Sequence, residues 1–240
     1  MNKVLLILSL VLLASCSPKE VPIDMLVEMQ GLKYTFNSDT PFTGISFEND
    51  ENGQLQTKEN YKDGKLQIKE NYENGQLQQR GNYKDGKQEG LQESYYPNGQ
   101  LSWREYLKDG KQEGLSEDYY ENGQLQQRGN YKDGKEDGLQ ESYYPNGQLW
   151  TKGKSKDGKL EGLFEAYHEN GQLEEKGKYK NGEPEGLHEL YYPNGQLQEK
   201  VKFKGGKLDG LSEDYAENGQ LALTGCYNNG REVDMSYCEQ

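Results

Sequence analysis

The sequence of 240 residues is poor in apolar side chains and in basic charge. Hydrophobic residues make up 31% of it, against roughly 45–50% in an average globular domain, and the mean hydropathy is -1.15. A thick buried core and a multi-span membrane protein are therefore disfavoured. Lys and Arg number 28 against 41 Asp and Glu, which gives a net charge of -13. We expect no nucleic-acid partner, because affinity for a phosphate backbone depends on cationic side chains.

Residues that perform much of enzyme chemistry are also scarce. A zinc site needs about four convergent ligands, whereas His168 and His188 stand at different positions of the chain with no cluster around them. We expect both to be ordinary surface or ladder positions. No kinase signature of the HRD or DFG type occurs. The sequence therefore predicts a protein that is not an enzyme and that takes no cofactor or metal.

Residues 81–87 match the GxxxxGK pattern of a phosphate-binding loop. Such a loop needs a following Ser or Thr and a helix whose N-terminus faces the phosphate. Here Gln88 follows, and the near-match recurs at residues 129–135 and 153–159. A pattern that repeats with the scaffold indicates a turn.

The N-terminus has the features of an export signal. A short positive region over residues 1–3 precedes an apolar run over residues 4–14, which is shorter than the roughly 20 residues that a helix needs to span a bilayer. The run ends Leu-Ala-Ser-Cys at residues 13–16, which resembles the lipobox of bacterial lipoproteins. We predict a lipoprotein signal peptide over residues 1–15, and the alternative is an ordinary secretory signal with a chance cysteine.

Lipidation of Cys16 would anchor the chain to a membrane. The thiol carries a diacylglyceryl group in such proteins, and two or three acyl chains give stable attachment where one is marginal. We predict a lipidated N-terminus and tether over residues 16–30. Ser17, in place of an aspartate, favours the outer membrane if the host is Gram-negative. The predicted location is therefore the cell envelope, with membrane lipid as one partner.

An internal repeat occupies most of the chain. The tetrapeptide Asn-Gly-Gln-Leu recurs with its glycine at 53, 75, 99, 123, 147, 171, 195 and 219, a spacing of 22 and then 24 residues. A fixed period of this size indicates a repeat architecture with atypical ends. We predict an N-terminal cap over residues 31–47, repeats over 48–225 and a C-terminal cap hairpin over 226–240.

Two turn signals in each repeat predict the fold class. Asn-Gly and Asp-Gly both favour type I′ hairpin turns, and the segments between them are short and rich in Tyr and Leu. The sequence predicts an all-β protein, a repetitive antiparallel β-meander that forms an extended, twisted, largely single-layer sheet. About sixteen strands at roughly 4.8 Å would extend about 75 Å, with contacts between neighbouring repeats supplying the stability.

The turns also predict the register. If Asp133 and Gly134 are the central residues of their turn, Gly129 falls opposite Gly138. If Asn146 and Gly147 are central, Tyr144 falls opposite Leu149. A slip of one residue would exchange the two faces of the sheet.

The repeat unit resembles a known family. The pattern Tyr-Tyr-Pro-Asn-Gly-Gln-Leu followed by Gly-Asn-Tyr-Lys-Asp-Gly-Lys-Gln-Glu-Gly-Leu is similar to the MORN-repeat variant of the bacterial YwqK antitoxin-like family, here in lipoprotein form. The resemblance implies hairpin repeats and an antitoxin function. Some relatives carry names borrowed from phosphatidylinositol-4-phosphate 5-kinases, and we expect no kinase activity here.

The two remaining cysteines lie near the C-terminus. In an oxidising compartment Cys226 and Cys238 form an even pair, and a disulfide between them would fix the C-terminal cap. The alternative is two free thiols, because Cys226 faces Val233 in a simple hairpin about Asn229-Gly230, with Cys238 further along.

Aromatic side chains are the candidate partner contacts, because they combine an apolar ring with a polar tip. The alternative is that they only hold the single-layer sheet together. The candidates are Tyr95, Trp103, Tyr119, Tyr143, Trp150 and Tyr191.

The favoured function is a non-enzymatic, membrane-anchored scaffold that binds a protein or a glycan. The alternative is an antitoxin or immunity protein that neutralises a basic toxin, since an acidic surface favours basic partners.

Overall fold

The structure, a computed structural model, describes residues 18–239, and within that range it is all-β with no α-helix. The predicted fold class is confirmed, because successive strands pair into one open, mostly antiparallel meander of 21 strands. A further two strands form a separate hairpin. The strands are β1 Glu20–Pro22, β2 Leu26–Met29, β3 Leu32–Thr35, β4 Gly44–Asn49, β5 Leu55–Lys62, β6 Lys65–Glu73, β7 Gln76–Lys84, β8 Lys87–Tyr95, β9 Leu101–Lys108, β10 Lys111–Gln112, β11 Gly114–Tyr119, β12 Leu125–Lys132, β13 Lys135–Tyr143, β14 Leu149–Lys156, β15 Lys159–Leu160, β16 Gly162–Tyr167, β17 Leu173–Lys180, β18 Glu183–Tyr191, β19 Leu197–Lys204, β20 Lys207–Leu208, β21 Gly210–Tyr215, β22 Leu221–Asn228 and β23 Arg231–Val233, and the 3₁₀ turns are Ile23–Met25 and Met235–Tyr237.

The two kinds of turn differ. Asp133 and Gly134 have φ values of 51° and 79°, as a type I′ turn requires. At seven of the eight turns of the Asn-Gly-Gln-Leu motif only the glycine has a positive φ, 86° at Gly147, and the Gly147 N–H donates to the Tyr144 carbonyl at 2.8 Å. This is a type I turn followed by a glycine bulge, so the prediction of type I′ was wrong there.

Three Asn-Gly turns do have the predicted geometry, at residues 74–75, 181–182 and 229–230. Asn74 and Gly75 have φ values of 51° and 77°, and they alone separate β6 from β7. This two-residue turn explains why the spacing of the first two Asn-Gly motifs is 22 rather than 24 residues.

Bulges change the register inside the strands. Lys132 pairs with Lys135 beside the turn, but the register then shifts and Gly129 pairs with Gln140 instead of Gly138. Beside the other turn, Leu149 pairs with Tyr143 instead of Tyr144. Both predicted pairs were wrong, because each bulge places one extra residue on one strand, which symmetrical pairing about a turn does not allow for.

One face of the sheet, which we call the ladder face, carries a row of alternating charge. Residues that pair across adjacent strands lie on the same face of the sheet. In this row each pair joins one acidic and one basic residue. Seven basic and seven acidic residues alternate in the order Lys58, Glu70, Arg80, Glu93, Arg104, Glu117, Arg128, Glu141, Lys152, Glu165, Lys176, Glu189, Lys200 and Glu213.

The opposite face, which we call the groove face, has a central row of small or space-filling residues. Several positions of this row are glycines. The residue that pairs with each glycine on the next strand has a larger side chain, which lies over the glycine. Gly81 pairs with Gln92, and Gly129 pairs with Gln140. Few apolar side chains are buried anywhere in the described residues: Phe42, Tyr61, Ala166, Val201 and Cys226.

The N-terminal end has more regular structure than a tether. Within residues 16–30, β1 pairs parallel with β4, and a 3₁₀ turn and β2 follow. Phe42, which is 4% exposed, packs on Tyr61 with ring centroids 6.0 Å apart. Residues 31–47, the predicted cap, include β3 and most of β4.

The C-terminal end is closed by a covalent bond. β22 pairs with β23 through Cys226 and Val233, and Cys226 forms a disulfide with Cys238, whose Cα atom is 6.0 Å away.

Candidate binding groove

Three adjoining cavities form a continuous groove on the groove face between β6 and β13. Their volumes are about 270, 260 and 120 Å³. Trp103 lines the first and second, and Asp118, Gln127 and Tyr131 line both the second and third. The groove crosses about six inter-strand spacings, or roughly 29 Å.

Because two glycines of the groove floor have no side chain, the amide group of the glutamine paired with each of them can lie directly over the glycine. A Cβ on Gly129 would collide with the amide of Gln140, and one on Gly81 would collide with that of Gln92. Both glycines adjoin a bulge. The Gln140 Nε2 donates to the carbonyl of Asn130, in the bulge, at 3.0 Å. The amide therefore fills the space and satisfies a carbonyl that the ladder leaves free.

The equivalent amide in the first cavity acts in the same way. Gln92 is 3% exposed, and its Nε2 donates to the Asn82 carbonyl at 2.9 Å. The floor of the groove is thus polar and hydrogen-bonded.

Carboxylates line the walls of the groove. Glu105 accepts from Gln112 Nε2 at 2.5 Å, and Asp118 accepts from Gln127 Nε2 at 2.7 Å. Glu136, in the third cavity, accepts from Ser155 Oγ at 2.9 Å. Each of these contacts has a neutral donor, so the carboxylates are held in place without a basic partner in the contact.

The basic side chain beside the groove is already paired, since Lys69 Nζ lies 3.0 Å from the buried carboxylate of Glu59. Arg80 belongs to the ladder face, where its Nε lies 3.6 Å from Glu70. The electrostatic character of the groove is therefore acidic.

The same face is filled further along the sheet. A chain of edge-to-face ring contacts joins Phe164, Tyr179, His188 and Phe203, with successive centroids 5.8, 5.1 and 4.9 Å apart. His188 is 6% exposed and pairs with Val201 within the sheet, so of the two predicted kinds of position it is a paired strand position and not a surface one. Its Nε2 contacts the Lys178 carbonyl at 2.9 Å, just as Gln140 contacts Asn130.

His168 belongs to a different set of contacts. Its Nε2 lies 2.8 Å from the Tyr191 carbonyl of the next repeat. Tyr144 makes the corresponding bond to the Tyr167 carbonyl at 2.9 Å. Both rings connect successive repeats at the edge of the sheet that carries the Asn-Gly turns.

The six predicted aromatic contacts do not form one surface. Trp103 pairs with Asp118 on the groove face. The other five, Tyr95, Tyr119, Tyr143, Trp150 and Tyr191, lie on the ladder face, as shown by their register with the charged row.

Tyrosines of the ladder face donate to its glutamates. Tyr143 Oη donates to Glu141 at 3.2 Å, and Tyr191 Oη donates to Glu189 at 3.1 Å. Burial, together with the adjacent carboxylate, raises the pKa of both phenols. These rings therefore stabilise the charged row, while Trp150 is 47% exposed and contacts Tyr144 at 5.8 Å between centroids.

Sequence reasoning missed the polar residues of the groove. Gln127, Asp118 and Glu105 looked like ordinary repeat positions. Only the bulged register places them beside Trp103. The available signal was Trp103 itself, which stands where the preceding repeat carries Gln79 and the two that follow carry Gln127 and Thr151.

The described residues offer no other obvious chemistry. Within residues 18–239 no group of three or more metal-ligating side chains converges, and no helix in that range has the length and apolar character needed to cross a membrane. Cys16 and the predicted signal peptide lie outside the described residues.

Comparison with known proteins identifies the repeats. The family described as "MORN repeat variant" matches residues 42–63, 66–85, 88–109, 112–133, 136–157, 160–181, 184–204 and 208–229. These eight segments cover more than half of the chain. No curated protein matches it.

Two solved structures show only a distant likeness. An S. aureus TarM mutant in complex with Fondaparinux, alpha-GlcNAc-glycerol and UDP has a TM-score of 0.27 and 10% identity, over 47% of this chain and 20% of that chain. A TcdB2-TccC3-Cdc42 structure has a TM-score of 0.20 and 12% identity, over 83% of this chain and 15% of that chain. The chain thus spans a fifth or less of the length of either protein.

Proposed function

Because the chain belongs to the MORN repeat variant family, we propose that it is a non-enzymatic, membrane-anchored lipoprotein whose repeat array binds a partner at the cell envelope. The observation that carries this proposal is the groove, which extends across several repeats and is lined by hydrogen-bonding side chains. A broad surface of this kind suits recognition of an extended partner.

The anchor is supported by sequence alone. Residues 13–16 resemble a lipobox, and acylation of Cys16 would hold the array at a membrane surface. The first strand, β1, begins at Glu20, four residues after this cysteine. The repeats would then stand near the membrane and not at the end of a long tether.

Metabolic labelling tests the anchor. Cells expressing the full chain are grown with an azide-tagged fatty acid, and the Cys16→Ala variant serves as the control. We expect label and membrane fractionation with the wild type and loss of both in the variant. Label that persists in Cys16→Ala would contradict acylation at this residue.

Crosslinking in cells tests the binding function. A photo-crosslinking amino acid replaces the exposed Gln127 in the groove or the exposed Lys154 on the ladder face. We expect a discrete crosslinked species from position 127 that is absent from position 154. Failure to crosslink from either face would remove the scaffold proposal.

An immunity protein is the second candidate, and the acidic groove favours it. Glu105, Asp118 and Glu136 have neutral donors in their contacts, and the net charge of -13 would steer a basic toxin to this surface. The test is co-expression with a neighbouring toxin-like reading frame. Growth rescue that is lost in an Asp118→Asn, Glu136→Gln double variant would support this function, and absence of rescue would exclude it.

A further inference from the structure

From the lining of the groove between β6 and β13, we infer that it is a binding site for a linear, uncharged oligosaccharide. The inference rests on the proposed binding function and specifies the chemistry of the partner.

The charge of the groove disfavours an anionic ligand. Glu105, Asp118 and Glu136 line it. The base that lines it on this face, Lys69, is engaged with Glu59. An acidic glycan or a phosphate-bearing headgroup would therefore meet like charge.

The amides distinguish a hydroxyl-rich ligand from a basic peptide. A cationic side chain uses acceptors only, whereas a Gln amide presents both a donor and an acceptor. Gln79, Gln112 and Gln127 line the successive cavities. Sugar hydroxyls also donate and accept, so they use both groups of each amide together with the second oxygen of each carboxylate.

Trp103 supplies the apolar surface that a sugar ring needs. It is half-buried and lies where the first two cavities meet. An indole ring offers a broad flat surface with one polar edge. The C–H face of a pyranose can stack on such a surface while its equatorial hydroxyls reach neighbouring polar groups.

The length of the groove favours a chain over a single sugar. Six inter-strand spacings amount to roughly 29 Å, and the lining keeps amides in all three cavities, with carboxylates of the groove face added in the second and third. The binding site therefore repeats along the sheet with the scaffold, as an oligosaccharide repeats along its own axis.

Calorimetry on the purified protein tests the inference. The probes are cellohexaose, laminarihexaose, maltohexaose and chitohexaose, with deca-lysine and an oligogalacturonate as charged comparisons. We expect at least one neutral hexasaccharide to bind and neither charged probe to compete with it. In the Trp150→Phe variant Trp103 is the only indole, so its emission should shift as the neutral sugar binds.

Variants locate the site. Trp103→Ala and Gln127→Ala should each weaken binding of the neutral hexasaccharide by about tenfold, as expected for a central contact residue. Thr151→Ala changes the same repeat position outside the groove and should leave affinity within about twofold. Gln127 is exposed, so Gln127→Ala keeps the test valid if Trp103→Ala fails to fold.

Three results would overturn the inference. They are no binding of any neutral hexasaccharide, sugar binding that both groove variants leave unchanged, and saturable binding of deca-lysine in place of sugars. The last result would leave the scaffold proposal intact and would favour the immunity function, whereas failed crosslinking from both faces would remove the scaffold itself.

Discussion

The two halves of the groove face are built from the same repeat but differ in what covers the central row. In the first half Gln92 and Gln140 lie over glycines and leave cavities beside them. In the second half Phe164 and His188 occupy the equivalent positions, and the rings of Tyr179 and Phe203 complete a packed chain. One position in each repeat therefore decides whether the face is open and polar or filled and aromatic.

Replacing the central glycine with alanine should give the largest difference in stability between the two halves. In Gly177→Ala the new Cβ would collide with the His188 ring, which rings on both sides hold in place. Overpacking of this kind costs about 2–3 kcal/mol. In Gly129→Ala the colliding group is the flexible amide of Gln140, so the expected cost is about 1 kcal/mol, the value of one hydrogen bond.

Urea unfolding of both glycine variants measures this difference. Neither glycine has a positive φ, so backbone strain does not enter the comparison. Equal losses of unfolding free energy would show that the side chains around Gly129 and Gly177 are equally closely packed.

Replacing His188 tests whether its hydrogen bond or its ring matters more. His188→Ala removes the ring and the contact to the Lys178 carbonyl, and we expect a loss of about 2 kcal/mol. His188→Gln restores the bond that Gln140 makes to Asn130 and should recover about 1 kcal/mol of that loss. Thermal unfolding of the two variants side by side is the measurement, and identical stabilities would mean that the hydrogen bond contributes nothing.

Ionisation of tyrosines on the ladder face should lower the stability of the fold at alkaline pH in both halves of the sheet. Burial and Glu70 raise the pKa of Tyr72 from 10.0 to about 12, and burial with Glu165 raises that of Tyr167. Above pH 10 the unfolded phenols ionise before the folded ones, so the stability that neutral tyrosine supplies is lost as the pH rises from about 10 to 12. The midpoint of thermal unfolding should fall over that range, and less steeply in Tyr72→Phe. A curve that is flat above pH 10 would contradict this linkage.

The smallest effect is expected at Glu199 in the second half. Burial, then the neighbouring Asp214, raises the pKa of its carboxyl. The folded state therefore favours the protonated form, and the ionised form costs stability above the pKa. Glu199→Gln should raise the unfolding free energy at pH 7 by less than about 0.5 kcal/mol, because the site is partly solvated, and the gain should vanish in acid. A gain that persists at low pH would point to a cause other than charge.

The sequence predicted the repeat and the Asp-Gly turns because both are local. The residues at 133 and 134 accept a positive φ, and nothing distant is needed to form their turn. At the other turn, Pro145 precedes Asn146, and proline favours the second position of a type I turn. That signal was present, and Asn146 Oδ1 accepts from the Gln148 N–H at 2.9 Å as an Asx turn does.

The groove could not be predicted, because it depends on the bulges. A bulge shifts every later pair, so the partner of Gly129 cannot be found by counting from the turn. Whether Gln140 leaves a cavity and Phe164 fills one depends on side-chain volume at that partner position. The aromatic candidates do not share one surface, since Trp103 and Trp150 lie on opposite faces of the sheet.

The charged row on the ladder face bears on how such an array can change length. Each 24-residue unit brings one acid and one base to the row, as Glu141 and Lys152 do in β13 and β14. Duplication or loss of a whole unit therefore keeps the signs alternating and the row neutral. A gene that gains or loses copies would encode a longer or shorter sheet whose backbone remains compatible at every junction, while the number of binding positions on the opposite side changes in step.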